Sequence, residues 1–217
     1  LLNHWVPLNL AASDFAGDRE NAMTFIKTIP EDRAEGETAV MYERNKSNSG
    51  YVPNFVKAFS YRPDVMDSFD ALLDSIKKHM DPRRYELVTI AAAKEMKCSY
   101  CMLAHGTVLK RDFFGVGQLT KIASDPAESG LSEADKEVMA FAAKVVRDAV
   151  SVTADDVEKL RKHGLSEADI LDVVTAAAAR CFISKTADAL GALPDSKFRE
   201  LEPELRKVLV VGRPISD

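Results

Sequence analysis

The stretch ELVTIAAAKEMKCSYCMLAHG, Glu86 to Gly106, decides how this chain is read. Its apolar and alanine-rich residues suit a helix, and it contains no run of alternating polar and β-branched residues that would suggest a strand. Cys98 and Cys101 stand at i and i+3, and Cys101 and His105 at i and i+4, so on one helix all three share a face. Glu86 lies outside this spacing. On a single straight helix it would sit roughly 18 Å from Cys98 along the axis, out of reach of any thiol. A break around Met96 to Cys98 would fold the segment into a hairpin and bring Glu86 level with the residues around His105. The paired-helix reading therefore makes a checkable demand: the helix must end before Cys98.

Given that break, Cys98 and Cys101 begin the second helix, near the positive end of its dipole, which favours thiolate. His105 is placed to accept a thiol proton and Glu86 to orient the imidazole, the arrangement of nucleophile, base and orienting group. A thiolate of this kind attacks a peroxide O–O bond and becomes a sulfenic acid, and the neighbouring thiol condenses with it to a disulfide. Each residue also has a plainer reading. Glu86 can be a surface acid, His105 a core histidine, and the CxxC half of a zinc site. Structural zinc needs four ligands, however, and the remaining cysteine, Cys181, is far off in sequence. No metal and no bound cofactor are expected. A thioredoxin-type motif would follow a strand, whereas Ala91–Ala93 read as helix. Cys181, beside Phe182 and Ile183, reads as an inert buried thiol.

The helical signal extends outward in both directions. A helix opens near Thr38 and stops at the Asn-Ser-Gly run ending at Gly50. Pro53, Pro63 and Pro82 each suit a helix first turn, Pro82 with Asp81 as its cap. Val65, Met66, Phe69, Leu72, Leu73 and Ile76 recur at helical spacing. Ser132 and Thr153 begin Ser/Thr-x-x-Asp segments shaped like capping boxes. Val138, Ala142, Val145 and Ala149 form a narrow apolar stripe, and a long alanine-rich helix runs from near Ser166 to Gly191. GLSEAD occurs at Gly130 and again at Gly164, each copy reading as a helix entry, while the run Ala176–Ala179 suits close helix contact in a core or between subunits. The fold class is all-α. Residues 1–35, which include Trp5 and the apolar pair Phe25 and Ile26, form an N-terminal arm, and residues 36–217 form one helical domain.

The composition narrows the function classes. The chain has 217 residues, 46% hydrophobic and 29% charged, with a formal net charge of -5 and its basic residues interspersed with acidic ones, so no nucleic-acid surface is expected. Three cysteines, two of them one turn apart, fit a reducing compartment better than a secreted disulfide framework. No stretch reaches the roughly 20 apolar residues of a membrane span, and the N-terminus lacks a signal-peptide pattern. A cytoplasmic protein with no membrane partner is expected.

Glu86, Cys98, Cys101 and His105 together resemble the E…CxxCxxxH signature of the AhpD-like alkylhydroperoxidases, in the carboxymuconolactone decarboxylase superfamily. Tyr51-Val52-Pro53-Asn54, Arg62-Pro63 and Ala187-Asp188-Ala189-Leu190-Gly191 are similar to its peroxidase-related branch. The likeness covers about residues 36 to 195. It implies an all-helical bundle that assembles as a dimer, trimer or hexamer, with peroxide as the small-molecule substrate. Cys101 would be the peroxidatic thiol, Cys98 its resolving partner, and Glu86 and His105 the proton relay. Reduction would come from a thiol or lipoyl-bearing partner. Some members carry a histidine between the cysteines; here the position holds Tyr100, which the resemblance marks as an auxiliary site residue. Two other activities stand beside peroxide reduction: thiol–disulfide exchange or redox sensing, and the superfamily's lactone decarboxylation, against which the CxxC pair argues.

Overall fold

The computed structural model describes residues 23–217, and every described element is helical. Trp5 and the first part of the arm lie outside the described residues. Ten α-helices follow one another: α1 (Gly36–Ser49), α2 (Asn54–Lys57), α3 (Pro63–Lys77), α4 (Pro82–Glu95), α5 (Ser99–Asp112), α6 (Val116–Ser124), α7 (Glu133–Asp148), α8 (Ala154–Lys162), α9 (Glu167–Ala189) and α10 (Pro203–Leu209).

The bundle is organised around α4. Tyr85 through Ala93 are all buried, so this helix is enclosed on every side and packs against α5, α7 and α9. Its start is fixed by Pro82 in the first turn and by Asp81, whose side chain accepts the Arg84 N–H at 2.8 Å. Ala176, Ala177 and Ala179 of α9 are buried in the chain's own core, while Ala178 faces outward. Small side chains on both α4 and α9 let the two helices approach closely.

The two GLSEAD copies do the same local work. Gly130 and Gly164 both take positive φ, Leu131 and Leu165 are buried, and Ser132 and Ser166 cap α7 and α9. Full capping boxes form at Thr153 with Asp156 and at Ser166 with Asp169. The one expected at Ser132 is only half made. Its hydroxyl accepts the Asp135 N–H at 3.1 Å, but the Asp135 carboxylate is drawn to Arg83 at 2.9 Å and to the Ser132 hydroxyl itself. A further departure concerns the α7 stripe: Val138 and Ala142 are buried and Val145 half-buried, but Ala149 is exposed because α7 ends at Asp148. Pro53 precedes α2 as its cap residue instead of entering its first turn.

The two ends of the described chain meet beside the α4–α5 turn. In the arm, the Phe25 N–H donates to the Leu190 carbonyl at 2.7 Å, and Arg213 from the C-terminal tail lies 4.8 Å from the Phe25 ring centre. The arm thus packs on its own domain, although Phe25 and Ile26 stay exposed. The tail after α10 crosses the start of α5, where the Gly212 N–H donates to Ser99 Oγ at 2.7 Å. A Cβ on residue 212 would stand 2.0 Å from the Lys97 carbonyl oxygen, a rigid backbone neighbour. Gly212→Ala is therefore expected to push the tail away and cost about 1–3 kcal/mol. In a thermal melt that corresponds to a Tm lower by roughly 2–12 °C; an unchanged Tm would show that the tail is not seated there.

Candidate functional site

The break demanded by the sequence is present. α4 ends at Glu95, Lys97 adopts φ 56° in the left-handed region, and Cys98 becomes the N-cap residue of α5. The Lys97 N–H donates to the Lys94 carbonyl and the Cys98 N–H to that of Ala93, both at 3.0 Å. This is a Schellman cap built without glycine, so one helix closes on the residue that opens the next. The two helices run back to back, and His105 Nδ1 lies 2.6 Å from Glu86 Oε2, with both side chains mostly buried.

Cys98 and Cys101 are both buried free thiols. They differ in what surrounds them. Cys101 Sγ accepts a hydrogen bond from Ser184 Oγ at 3.1 Å, and Arg180 Nη1 stands 3.8 Å away. The Cys98 thiol donates to Cys101, and together with Arg180, His105 and Ser184 it holds the Cys101 thiol well below its ordinary range despite burial. Cys98 moves the opposite way, its proton retained by that hydrogen bond and by burial. The surroundings thus favour the thiolate at Cys101 and the protonated thiol at Cys98. Since folding lowers the Cys101 value below that of the unfolded thiol, about 8.5, its ionised form adds stability above that pH. The increment fades as pH falls through the folded value.

Three residues of this site were not singled out from the sequence for it: Arg180, Ser184 and Tyr85. Arg180 is 4% exposed and also donates to Tyr85 Oη at 3.1 Å, while the Tyr85 ring meets His105 edge-on at 6.4 Å between centres. A signal existed. In α9, Arg180, Ser184 and Asp188 stand at i, i+4 and i+8, a polar line on an otherwise alanine-rich apolar helix.

Tyr100 does not join this group. Its hydroxyl donates to Asp195 Oδ2, its ring packs edge-on against Phe55 and Phe198, and Asp195 also accepts from Tyr51 Oη and the Asn54 N–H. Tyr100 ties α5 to the α2 entry and to the loop after α9, and none of these contacts is shared with the thiols. Cys181 is half-buried, not fully buried, with its thiol donating to the Ala177 carbonyl at 3.6 Å. Among the described residues, no group of three or more His, Cys, Asp or Glu side chains is placed to hold a metal ion, and no helix is long and apolar enough to cross a membrane.

This scaffold shares the all-α fold of AhpD-core and peroxidase-related proteins. Solved structures that share it include an uncharacterized peroxidase-related protein from Ralstonia eutropha JMP134, described as an alkylhydroperoxidase AhpD core. Its TM-score is 0.74 at 21% identity, covering 82% of this chain and 95% of that one. A second uncharacterized peroxidase-related protein, from Silicibacter sp. TM1040, gives 0.74 at 22% identity over 85% and 98%. The debrominase Bmp8 gives 0.65 at 15% identity over 86% and 95%. No protein-family profile and no curated protein matches the chain.

Proposed function

We propose that the protein is a thiol-dependent peroxidase that reduces hydrogen peroxide or organic hydroperoxides through Cys101 and Cys98. The observation that carries this reading is the asymmetry of the pair: the contacts that stabilise a thiolate converge on Cys101, while Cys98 keeps its proton. The Cys101 thiolate attacks one peroxide oxygen, the O–O bond breaks, and the alkoxide leaves with a proton supplied through His105, which Glu86 orients. Cys101 is then a sulfenic acid. Cys98 attacks its sulfur, water leaves, and a Cys98–Cys101 disulfide remains. A dithiol, a small thiol or a lipoyl group on a partner protein, restores both thiols, and no bound cofactor takes part. Assembly into a dimer, trimer or hexamer and a cytoplasmic location belong to the same reading.

The test is to mix the reduced protein with stoichiometric hydrogen peroxide or cumene hydroperoxide. The expected result is loss of two thiols, a Cys98–Cys101 disulfide in the peptide map, and continued turnover with dithiothreitol. Oxidation no faster than that of the unfolded chain would sink the peroxidase reading. Because a Bmp8 variant is solved in complex with 2,3,4-tribromopyrrole, that compound is a useful second oxidant. Thiol loss with it and none with peroxides would redirect the reading to dehalogenation.

A further inference from the structure

The closing step sets a problem that His105 and Glu86 do not solve. Cys98 Sγ must lose its proton before it can attack, and Cys98 is 0% exposed. Among the described residues, a side chain that reaches both Cys98 and solvent would give that proton a route out. His105 and Glu86 are committed to the Cys101 side of α5, and Arg180 and Ser184 of α9 both donate to Cys101. One turn beyond Ser184 on the same line of α9 is Asp188.

Several contacts hold Asp188 against the start of α5. Its carboxylate lies beside the Cys98 thiol, near enough for each group to shift the other's acidity, and can take up the Cys98 proton once Cys101 no longer accepts it. From the C-terminal tail, Arg213 Nε stands 3.6 Å from Asp188 Oδ1 and Arg213 Nη2 donates to the Asp188 carbonyl at 2.7 Å. Arg213 is itself fixed by its neighbour Gly212, whose N–H is on Ser99 Oγ, next to Cys98. The Asp188 side chain is 29% exposed, so it bridges a thiol sealed from water and the solvent. The charged and titratable groups that face it are Cys98 and Cys101 from α5 and Arg213 from the tail.

We propose that Asp188 accepts the Cys98 proton when the Cys98–Cys101 disulfide closes and relays one back from the reductant or solvent when the disulfide is reduced, with Arg213 holding the carboxylate in place. In the closing step Cys98–SH and Asp188–COO⁻ become Cys98–S⁻ and Asp188–COOH. The thiolate then forms the S–S bond to Cys101 and displaces the group carried there, hydroxide after sulfenic acid formation or a thiolate from a mixed disulfide. Asp188–COOH, partly open to solvent, then passes that proton on to the leaving group, which departs as water or as a thiol, and the carboxylate is regenerated. Burial lifts the Asp188 carboxyl above its usual range, which makes it a better acceptor than an exposed aspartate. The two thiols thereby have separate proton routes, one through His105 and one through Asp188.

The inference rests on the redox reading of the cysteine pair but not on peroxide as the oxidant, so its test uses 2,2′-dipyridyl disulfide. Cys101 attacks the reagent and releases a first pyridine-2-thione; Cys98 then closes the disulfide and releases a second. Stopped-flow absorbance separates the phases. Asp188→Asn is expected to slow the second phase about tenfold and leave the first within about twofold. Its closure rate should rise with hydroxide concentration across the pH range where the wild type is nearly flat. Asp188→Glu should restore much of the rate. Arg213→Met, which keeps the carboxylate but frees it, should slow closure with the first phase unchanged. Closure as fast as wild type in both Asp188→Asn and Arg213→Met would overturn the proposal, as would equal slowing of both phases, which points to general loosening of the site. A wild type that closes its disulfide with this reagent yet ignores peroxides would sink the peroxidase reading alone.

Discussion

Cys101→Ser is expected to reduce peroxide consumption to the rate of buffer and reductant alone, a fall of about a thousandfold or more. Cys98→Ser is expected to do something different. Cys101 is the sulfur that Ser184 and Arg180 approach, at 3.1 Å and 3.8 Å, and the one whose thiolate is favoured. Serine at 98 leaves those contacts in place, so the first oxidation should proceed and then stop at the sulfenic acid, because the second sulfur is gone. Dimedone labelling followed by mass spectrometry reads this directly: an adduct on Cys101 in Cys98→Ser, and none in Cys101→Ser. An adduct on Cys98 in Cys101→Ser, with rapid peroxide loss, would reverse the assignment.

Arg180→Met should carry the second large effect. A hydrogen bond to a charged group contributes about 1.5–3 kcal/mol, which for a thiol acidity corresponds to roughly 10- to 100-fold less thiolate below neutral pH. The sign is fixed: removing the positive charge raises the Cys101 value toward that of an ordinary thiol, about 8.5. Iodoacetamide reactivity of the wild type should persist into acidic solution, and its midpoint should move upward in the variant. Methionine fills a similar volume but leaves the buried Tyr85 hydroxyl without its Arg180 donor. Tyr85→Phe with Arg180 intact separates the loss of that bond from the loss of charge. An unchanged midpoint in Arg180→Met would mean that the thiolate is held by Cys98, His105 and Ser184 without it.

The helices and their punctuation were readable because local chemistry sets them. Proline at 63 and 82, the caps at Asp81, Thr153 and Ser166, and glycine at 50 and 191 are backbone constraints that act within a few residues. The three residues on α5 were readable for the same reason, since helical spacing alone puts them on one face. Glu86 required knowing that the helix breaks, and the break leaves little trace: its left-handed position is occupied by Lys97, where a glycine would have announced it. The α9 residues were harder still. Arg180 interrupts an apolar run, but its meaning depends on which helix packs against it. That is decided by long-range packing, not by spacing. Tyr100 shows the converse. Its place between the cysteines suggests a role in their chemistry, yet a side chain one position along a helix points about 100° away, and here it finds Asp195.

The α9 line has one more consequence, for the order in which the chain becomes reactive. Two of the groups that favour the Cys101 thiolate lie 79 and 83 residues further along, and the tail that covers Ser99 lies 113 residues on. A chain emerging in sequence order exposes the CxxC pair long before Arg180 and Ser184 exist to activate it. During that interval Cys101 lacks two of the groups that favour its thiolate. On the proposed reading, full activation of Cys101 waits for the last quarter of the polypeptide to dock, so the packing that favours the nucleophile also delays it until the surrounding core has formed.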